Sequence, residues 1–550
     1  MRRWNGWGDD QVEAHVPDAT RRLLEDALGP GRPPRDITFE QACAAVPPPR
    51  LPAHPLVATG AAERVRYARG QSLPDLIALR GGRGLAVPDG VARPAAAGEV
   101  RALLDLARSG EIELIPYGGG TSVVGHVNPR AGGARPVLTV SLERMAALAG
   151  LDDRSRLATF GPGASGPAVE AALAPLGFTL GHFPQSFEYS TLGGWVATRS
   201  SGQQSRGYGR IERLFAGGTL LAPEGELRMP PLPASAAGPD LRQLVLGSEG
   251  RLGVLTEVVV RVTPRPAAEA FHGVFFPAWE AGLAAARALA QSDVPLSMVR
   301  LSTPVETATN LALAAGGAGG ARTSGLLRAV LRWRLGGGDE ACMAVLGFSG
   351  GERAVRAARR AALALVRRHG GVSAAGARLG ERWRRGRFRA PYLRNALWEM
   401  GYAVDTVETA TTWRALPATL AALEGALRGA LAGEGERVHA FSHLSHLYPG
   451  GSSIYTTLAF RLAGDPDTTL DRWRRLKDAA SRALVDAGAT ISHHHGVGTD
   501  HAPYLAAEKG ALGMQALASL VATFDPRGVM NPGKLLGGQT LELLTTGEHG

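Results

Sequence analysis

Three histidines in a row, His493, His494 and His495, followed by Gly-Val-Gly, concentrate proton-carrying side chains at one point of a 550-residue chain. Neighbouring residues in any regular element point different ways, so the run makes a poor chelate and is read as holding no metal. Imidazoles so placed can instead orient a substrate, carry a proton and steady an anionic intermediate. His443 and His446 lie upstream, and the sequence leaves open whether they line the same pocket or are simply satisfied in a core. The second chemical feature is the run IPYGGGTSVVG at 115–125. Gly118, Gly119 and Gly120 are poor in any element interior but suit a backbone that turns sharply against a ligand. Amides exposed in such a turn form a concave anion site, and the hydroxyls of Thr121 and Ser122 add donors. The run reads as a pyrophosphate cradle or, on its glycines alone, as a surface turn. It is not a dinucleotide fingerprint of the Rossmann type, which would open a helix directly after the strand.

Two further blocks carry donors of the same kind. In 181–202, Gly193 and Gly194 allow close backbone approach. Ser190, Thr191, Thr198 and Ser201 offer hydroxyls to phosphate oxygens, with Arg199 as counter-charge. In 247–253, the turn Gly-Ser-Glu-Gly-Arg-Leu-Gly sits between two β-rich runs.

The elements that must position these residues are read from spacing. Helical periodicity covers 17–29, with Gly29-Pro30 as the stop, and 47–55 is a proline-rich connector. A strand at 84–88, a helix at 96–109 and a second strand lead into the cradle. Strands at 138–142 and 158–163, a helix at 168–176 and a hairpin beyond 208 follow, and a last strand at 258–262 precedes Pro264-Arg-Pro266. A second β–α–β region begins with 271–276 and a helix at 279–291. The stretch 316–338 looks like an insertion or mobile loop. The chain returns through 344–348 and a long Arg/Ala helix running to Asp405, then a strand at 453–460, a helix, the histidine run, and a final helix ending at Phe524. The expected class is α+β, divided into 1–83 (helical segment and linker), 84–266, 267–460 and 461–550.

Length calls for two or three domains. The net charge of +10 comes almost entirely from arginine, since Lys477, Lys509 and Lys534 are the only lysines. The arginines are scattered, which argues against a nucleic-acid partner. The run 381–389 is the exception: it steers an anionic substrate, touches anionic lipid, or is a solvated helix face. No apolar run approaches the roughly 20 residues of a membrane span, and no leader is evident. Cys43 and Cys342 suggest neither a disulfide framework nor a metal site, which fits a reducing cytoplasm.

Taken together, the blocks RWNGWG, PYGGGTS, PQSFEYSTLGGWVATRSSG, GSEGRLG and HHHGVG resemble the alkylglycerone-phosphate (alkyl-dihydroxyacetone-phosphate) synthases of the vanillyl-alcohol oxidase/PCMH flavoprotein superfamily. The likeness runs from Trp4 to Lys534 and is weak between about 303 and 380. It implies a PCMH-type FAD-binding domain, a ferredoxin-like α+β cap that binds substrate, and C-terminal helices returning to the flavin. It assigns the cofactor to Pro116, Tyr117, Gly118, Gly119, Gly120, Thr121 and Ser122. To these it adds Gln185, Ser186, Ser190, Thr191, Gly194, Thr198, Arg199, Ser200 and Ser201 from the second block. From the third come Gly247, Ser248, Glu249, Gly250 and Gly253. FAD is expected to be non-covalent, because Thr121 stands where attaching relatives carry histidine, and His126 is wrongly spaced.

The implied reaction exchanges the acyl chain of an acyl-dihydroxyacetone phosphate for a fatty alcohol, without net redox change. Tyr455, His493, His494 and His495 would handle protons, Arg394 and Arg300 would bind substrate, and a dry tunnel in the cap would take the alkyl chain. Thr499, where the family typically has lysine, changes the local charge. The alternative is a FAD-linked oxidase or dehydrogenase of a 2-hydroxy acid or alcohol. A flavin-binding protein without turnover fits poorly with an intact tyrosine and triplet. The expected partner is a lipid-like small molecule met in the cytoplasm or at a membrane surface, with a homodimer left open.

Overall fold

The computed structural model describes residues 2–315, 340–373 and 375–537, so the stretch 316–338 expected as an insertion lies outside the described residues. Two lobes face each other across the histidine run.

The first lobe holds two sheets. Gly90–Ala92, Val137–Ser141 and Glu113–Tyr117 run parallel in that spatial order, with Val57–Ala58 added antiparallel at one edge. Helix Ala97–Ser109 makes the crossover, and its Val100, Leu103, Leu104 and Ala107 recur at helical spacing on Leu114, Leu138 and Val140. The strand expected at 84–88 is not formed; pairing starts at Gly90. Pro88 has no amide to give a ladder, and Asp89 turns its carboxylate to the amide of Val137 and to Arg50 instead.

The second sheet is antiparallel, in the order Leu148–Asp152, Leu157–Phe160, Val254–Arg261, Phe215–Ala222, Gly225–Met229. It shares a core with the final helix, Leu505–Phe524. Beyond that helix the chain returns to the first sheet. Leu114 N donates to Val529 O at 2.8 Å and Asn531 N to Leu114 O at 2.9 Å, beside the strand that feeds the cradle.

The second lobe is built on a six-stranded antiparallel sheet, in the order Ala268–Phe276, Cys342–Gly350, Met298–Ser302, His439–Tyr448, Gly451–Arg461, Tyr402–Thr412. Side chains alternate between its faces. Leu301, Val407, Leu444, Ile454 and Leu458 enter a core with helices Trp279–Ala290, Glu352–Arg368, Leu416–Gly429 and Pro466–Asp486. Their neighbours Arg300, Glu408, His443 and Tyr455 therefore leave by the opposite face.

The single Arg/Ala helix expected to reach Asp405 is three helices, Glu352–Arg368, Gly376–Gly386 and Leu393–Glu399, and a strand already under way at Tyr402. Gly370, at φ +74°, ends the first; a Cβ on Gly371 would lie 2.5 Å from Val366 and 2.6 Å from Phe276. Helix Pro466–Asp486 belongs to this lobe's core while Leu505–Phe524 belongs to the first, so the segment beyond 461 divides between them. The N-terminal block also packs on the second lobe, where Asn395 hydrogen-bonds both backbone groups of the buried Trp7.

Candidate active site

Glu408 lies opposite Tyr455, and Tyr455 opposite His443, on three adjacent strands, so the three side chains leave the sheet side by side. His446, three residues beyond His443, would point to the other face of a regular strand. A bulge between Leu444 and Leu447 restores it to the site. The rings form one aromatic cluster. Tyr455 stacks on His443 at 5.0 Å and on His494 at 5.8 Å, and meets His495 edge-on at 5.7 Å. His446 stacks on His493 at 5.0 Å. Both residues of the His443/His446 pair are thus brought to the triplet. Burial and the nearby negative charges of Glu408 and Asp405 push the Tyr455 hydroxyl up to about 12, so it is a neutral donor at physiological pH.

The histidine loop is held by two buried carboxylates. Glu408 accepts the Ser492 hydroxyl at 2.7 Å and the amides of His493, His494 and His495 at 2.8, 3.0 and 2.9 Å. Burial opposes its charge, but the imidazoles around it and these donors hold its carboxyl well below the ordinary value. Glu249 accepts the amides of Val497 and Gly498. Glu249, expected among the cofactor-binding residues, uses its carboxylate to fasten the loop that follows the triplet.

Sequence reasoning missed Glu408 and Arg210. Arg210 donates from Nη1 to His493 Nε2 at 2.8 Å and from Nη2 to His493 O at 2.9 Å, while Glu212 pairs with its Nε. A carboxylate inside an otherwise buried strand run is the one signal that could have found Glu408. Arg210 carries none, being one arginine among many.

Nitrogens of His446, His493 and His494 lie within 4.8 Å of one another, close enough for one ion to bridge. Their chemistry does not favour a cation, since Arg210 already occupies His493 Nε2 and Ser201 and Ser205 lie at 3.3 and 3.0 Å from His446 Nδ1.

The two arginines expected to bind substrate differ. Arg394 donates Nη1 to Gln71 O at 2.7 Å, while its Nε and Nη2 are shut off from solvent with no partner. Those two atoms form one edge of the guanidinium, the edge that takes an anion bidentately. Arg300 is already engaged, donating to Glu306 at 2.8 Å and lying 3.1 Å from His443 Nδ1. It reaches the site through His443, whose Nδ1 is 2.9 Å from Glu306. Burial opposes the charge on Glu306, but Arg300 and His443 hold its carboxyl down at about 2.

Gln71 links Arg394 to the cradle, because its amide donates to Ser122 O at 2.6 Å. The cradle has no room for side chains. A Cβ on Gly118 would lie 2.3 Å from Thr191 Oγ1, on Gly119 1.9 Å from Tyr189 O, and on Gly120 (φ +59°) 1.9 Å from the Tyr117 hydroxyl. Thr191 Oγ1 is buried there without a partner. A backbone cradle with an orphaned hydroxyl fits a bound phosphate-bearing cofactor. Gly119→Ala is expected to leave the protein folded but depleted of flavin, read as the ratio of 450 to 280 nm absorbance after gel filtration.

Other residues of the expected cofactor set have local tasks. Ser190 bridges Trp195 and Ser186 O, Thr198 binds Gly194 O, and Gln185 binds Arg387 O. Ser200 and Ser201 hold His182 and His446. The Arg199 guanidinium, expected as a counter-charge, is bonded to Gln243 at 3.2 Å. His126 has Nδ1 2.8 Å from the Ser122 hydroxyl, and its buried Nε2, 3.1 Å from Glu249, makes no hydrogen bond. Thr499 packs at the end of the cradle, its hydroxyl donating to Val124 O at 3.3 Å.

Burial sets the acid limit of the fold. His182 and His501 are pushed down to about 3, burial being the main cause in both. The unfolded chain takes up protons at these rings below about 6.5, whereas the native state does not until about 3. Stability therefore falls as pH drops through this window, by about 1.4 kcal/mol per pH unit per ring. The contribution of Glu408 acts in the same direction: its loss begins in the ordinary carboxylate range, where the unfolded chain takes up the proton, and is complete only well below it. A melting temperature that stays level from pH 6.5 to 5 would contradict this account.

Known proteins resemble this chain in sequence and fold. The model described as FAD binding domain matches residues 88–229, and the one described as FAD linked oxidases, C-terminal domain, matches 265–535. An alkyldihydroxyacetonephosphate synthase of Dictyostelium discoideum is 31% identical over 475 residues, 86% of this chain and 77% of the relative. That of Trypanosoma brucei brucei is 28% identical over 573 residues, 97% and 92% of the two chains. A solved alkyldihydroxyacetonephosphate synthase structure superposes with a TM-score of 0.82 at 26% identity, covering 96% of this chain and 98% of its own.

Proposed function

The chain belongs to the alkyldihydroxyacetonephosphate synthase family, and we propose from its own residues that it exchanges the acyl chain of an acyl-dihydroxyacetone phosphate for a fatty alcohol, with FAD as cofactor. The observation that carries this reading is Arg394, a buried guanidinium with one edge unpaired. That edge fits a phosphate or a carboxylate alike, and the choice of phosphate follows the synthase family to which the chain belongs.

Backbone at 118–120, with Thr191 and Ser122, would hold the diphosphate of FAD without a covalent bond. Bound FAD supplies a reversible electron sink that lets the exchange run without net oxidation. Arg394 clamps the substrate phosphate by two parallel hydrogen bonds and so fixes the distance of the reacting carbon from Tyr455. The bond from that carbon to the acyl oxygen breaks and leaves as fatty-acid carboxylate; a bond to the alcohol oxygen replaces it. The alcohol gives up its proton, and Tyr455 with the imidazoles stacked on it provides the relay. Glu408 keeps the triplet in register by holding its three amides, and Arg300 with Glu306 keeps the His443 ring in place.

No helix among the described residues is long and apolar enough to cross a membrane. Helix Gly376–Gly386 exposes Arg378, Arg382, Arg384 and Arg385. This arginine-rich face suits peripheral contact with anionic lipid, where fatty substrates would be met, and a cytoplasmic setting is our reading.

The test is anaerobic mixing of the yellow protein with palmitoyl-dihydroxyacetone phosphate, followed by hexadecanol. Bleaching of the flavin band, release of palmitate and an ether-linked product are expected. Bleaching by a 2-hydroxy acid instead, with recovery only on adding an electron acceptor, would overturn the reading in favour of a dehydrogenase.

A further inference from the structure

Arg210 is joined to the triplet by two hydrogen bonds, yet nothing in the exchange just described uses it. A guanidinium can only donate. His493 Nε2, 2.8 Å from Arg210 Nη1, must therefore be an acceptor. The Tyr448 hydroxyl, 2.7 Å from the same nitrogen, competes with Arg210 as donor to its single lone pair. A neutral imidazole that accepts at Nε2 carries its proton on Nδ1. His493 Nδ1 lies 2.9 Å from His494 Nδ1, a separation that admits one proton between them. If His493 supplies that proton, His494 accepts at Nδ1 and carries its own on Nε2. Glu408 Oε2, 3.3 Å from His494 Nδ1, is the competing partner for that nitrogen, and it already takes the His493 amide at 2.8 Å.

We propose that Arg210 is a positioning residue that sets the tautomers of the histidine run, fixing His493 as the Nδ1–H form and His494 as the Nε2–H form. His494 then offers an N–H to an oxygen of the substrate or product and does not act as the base. At His443 Nδ1 two partners compete: the Glu306 carboxylate at 2.9 Å calls for a proton there, and Arg300 Nη2 at 3.1 Å can only donate, so the assignment is confined to His493 and His494. Burial and the Arg210 charge keep His493 neutral, as the assignment requires. The part of the proposal that concerns turnover rests on the synthase reading; the tautomer assignment does not.

The experiment uses the flavin-bound full chain labelled with ¹⁵N-histidine, and reads the ring nitrogens of residues 493 and 494 by two-bond proton–nitrogen correlation. His493→Gln and His494→Gln serve for assignment. Protonated Nδ1 on His493 and protonated Nε2 on His494 are expected. A proton on His493 Nε2, or both nitrogens of His493 protonated, would overturn the proposal whether or not the protein makes ether lipid.

Arg210→Met is expected to lose the fixed pattern and to lower kcat by about 10- to 1,000-fold with KM for the acyl substrate within about threefold. A wrongly set tautomer costs up to about 10⁴-fold in hydrolase triads. Arg210→Lys, which restores a cationic donor, is expected to recover the pattern and most of kcat. Should Arg210→Met fail to fold, the native spectrum and Arg210→Lys still decide. Tyr448→Phe is expected to keep the native tautomers, and a change of tautomer there would overturn the assignment to Arg210.

Discussion

Tyr455→Phe is expected to lower turnover by about 10²- to 10⁴-fold while flavin content, melting temperature and KM stay close to native values. The substitution removes one oxygen and leaves the ring, so the stacks on His443 at 5.0 Å and His494 at 5.8 Å survive. The hydroxyl stays protonated up to about 12 because it is buried beside Glu408 and Asp405, so it enters the reaction as an acid and not as a phenolate. Each time it gives up its proton, the resulting anion needs a nearby donor. The stacked imidazoles and the Arg394 charge are the groups placed to supply it. Losing a general acid–base group affects the transition state and not the bound substrate, so kcat and kcat/KM should fall together. Single-turnover mixing separates this from slow product release. A variant within about threefold of the native rate would remove Tyr455 from the chemistry and leave the imidazoles to act alone.

The parts of this site that were legible in the sequence are those whose constraint is local. Gly118, Gly119 and Gly120 declare themselves because a Cβ at any of them would strike a neighbour, and that restriction shows in residue identity alone. The triplet is conspicuous for the same reason. What could not be read are pairings made by topology. Glu408 acquires its task only when the strand Tyr402–Thr412 brings it beneath amides 85 to 87 positions further on. Arg210 reaches His493 across 283 positions.

Residues that were legible as types could not be given their neighbours from the sequence. Glu249 belongs to a glycine-rich turn beside the cradle, yet its carboxylate takes two amides of the histidine loop; a carboxylate aimed at a diphosphate would repel it. Arg300 looked free to hold substrate until Glu306, six residues on, turned out to lie within 2.8 Å. The bulge that returns His446 to the face of His443 has no signature in its own residues, so the pair could not be placed. In the fold, the break at Gly370-Gly371 was written in the sequence and was overrun by the strength of the Arg/Ala periodicity on both sides of it.

Arg394→Met separates a substrate clamp from a structural arginine, because the two roles predict opposite changes in stability. A structural arginine satisfies its neighbours, and its removal leaves them unpaired and lowers the melting temperature. Arg394 has one hydrogen bond, to Gln71 O, and two buried nitrogens that bond to nothing. Burial works against its charge and lowers its pKa, with Asp405, Tyr455 and Asp75 as the groups that offset this. Keeping such a group in the unliganded protein costs free energy, so an apolar side chain of similar length should be tolerated without loss of stability. The melting temperature of the variant should therefore hold or rise.

Binding should move the other way. The phosphorylated substrate loses a bidentate, charge-assisted pair, and KM is expected to rise by about 10²-fold or more, with the fatty alcohol's KM little changed. Arg394→Lys returns a point charge without the paired edge and should recover only part of the loss. The same contrast is readable without turnover: dihydroxyacetone phosphate should raise the melting temperature of the native protein and leave that of Arg394→Met unmoved. If the substitution lowers stability and leaves KM as it was, Arg394 is a strut of the second lobe, and the phosphate must be held elsewhere.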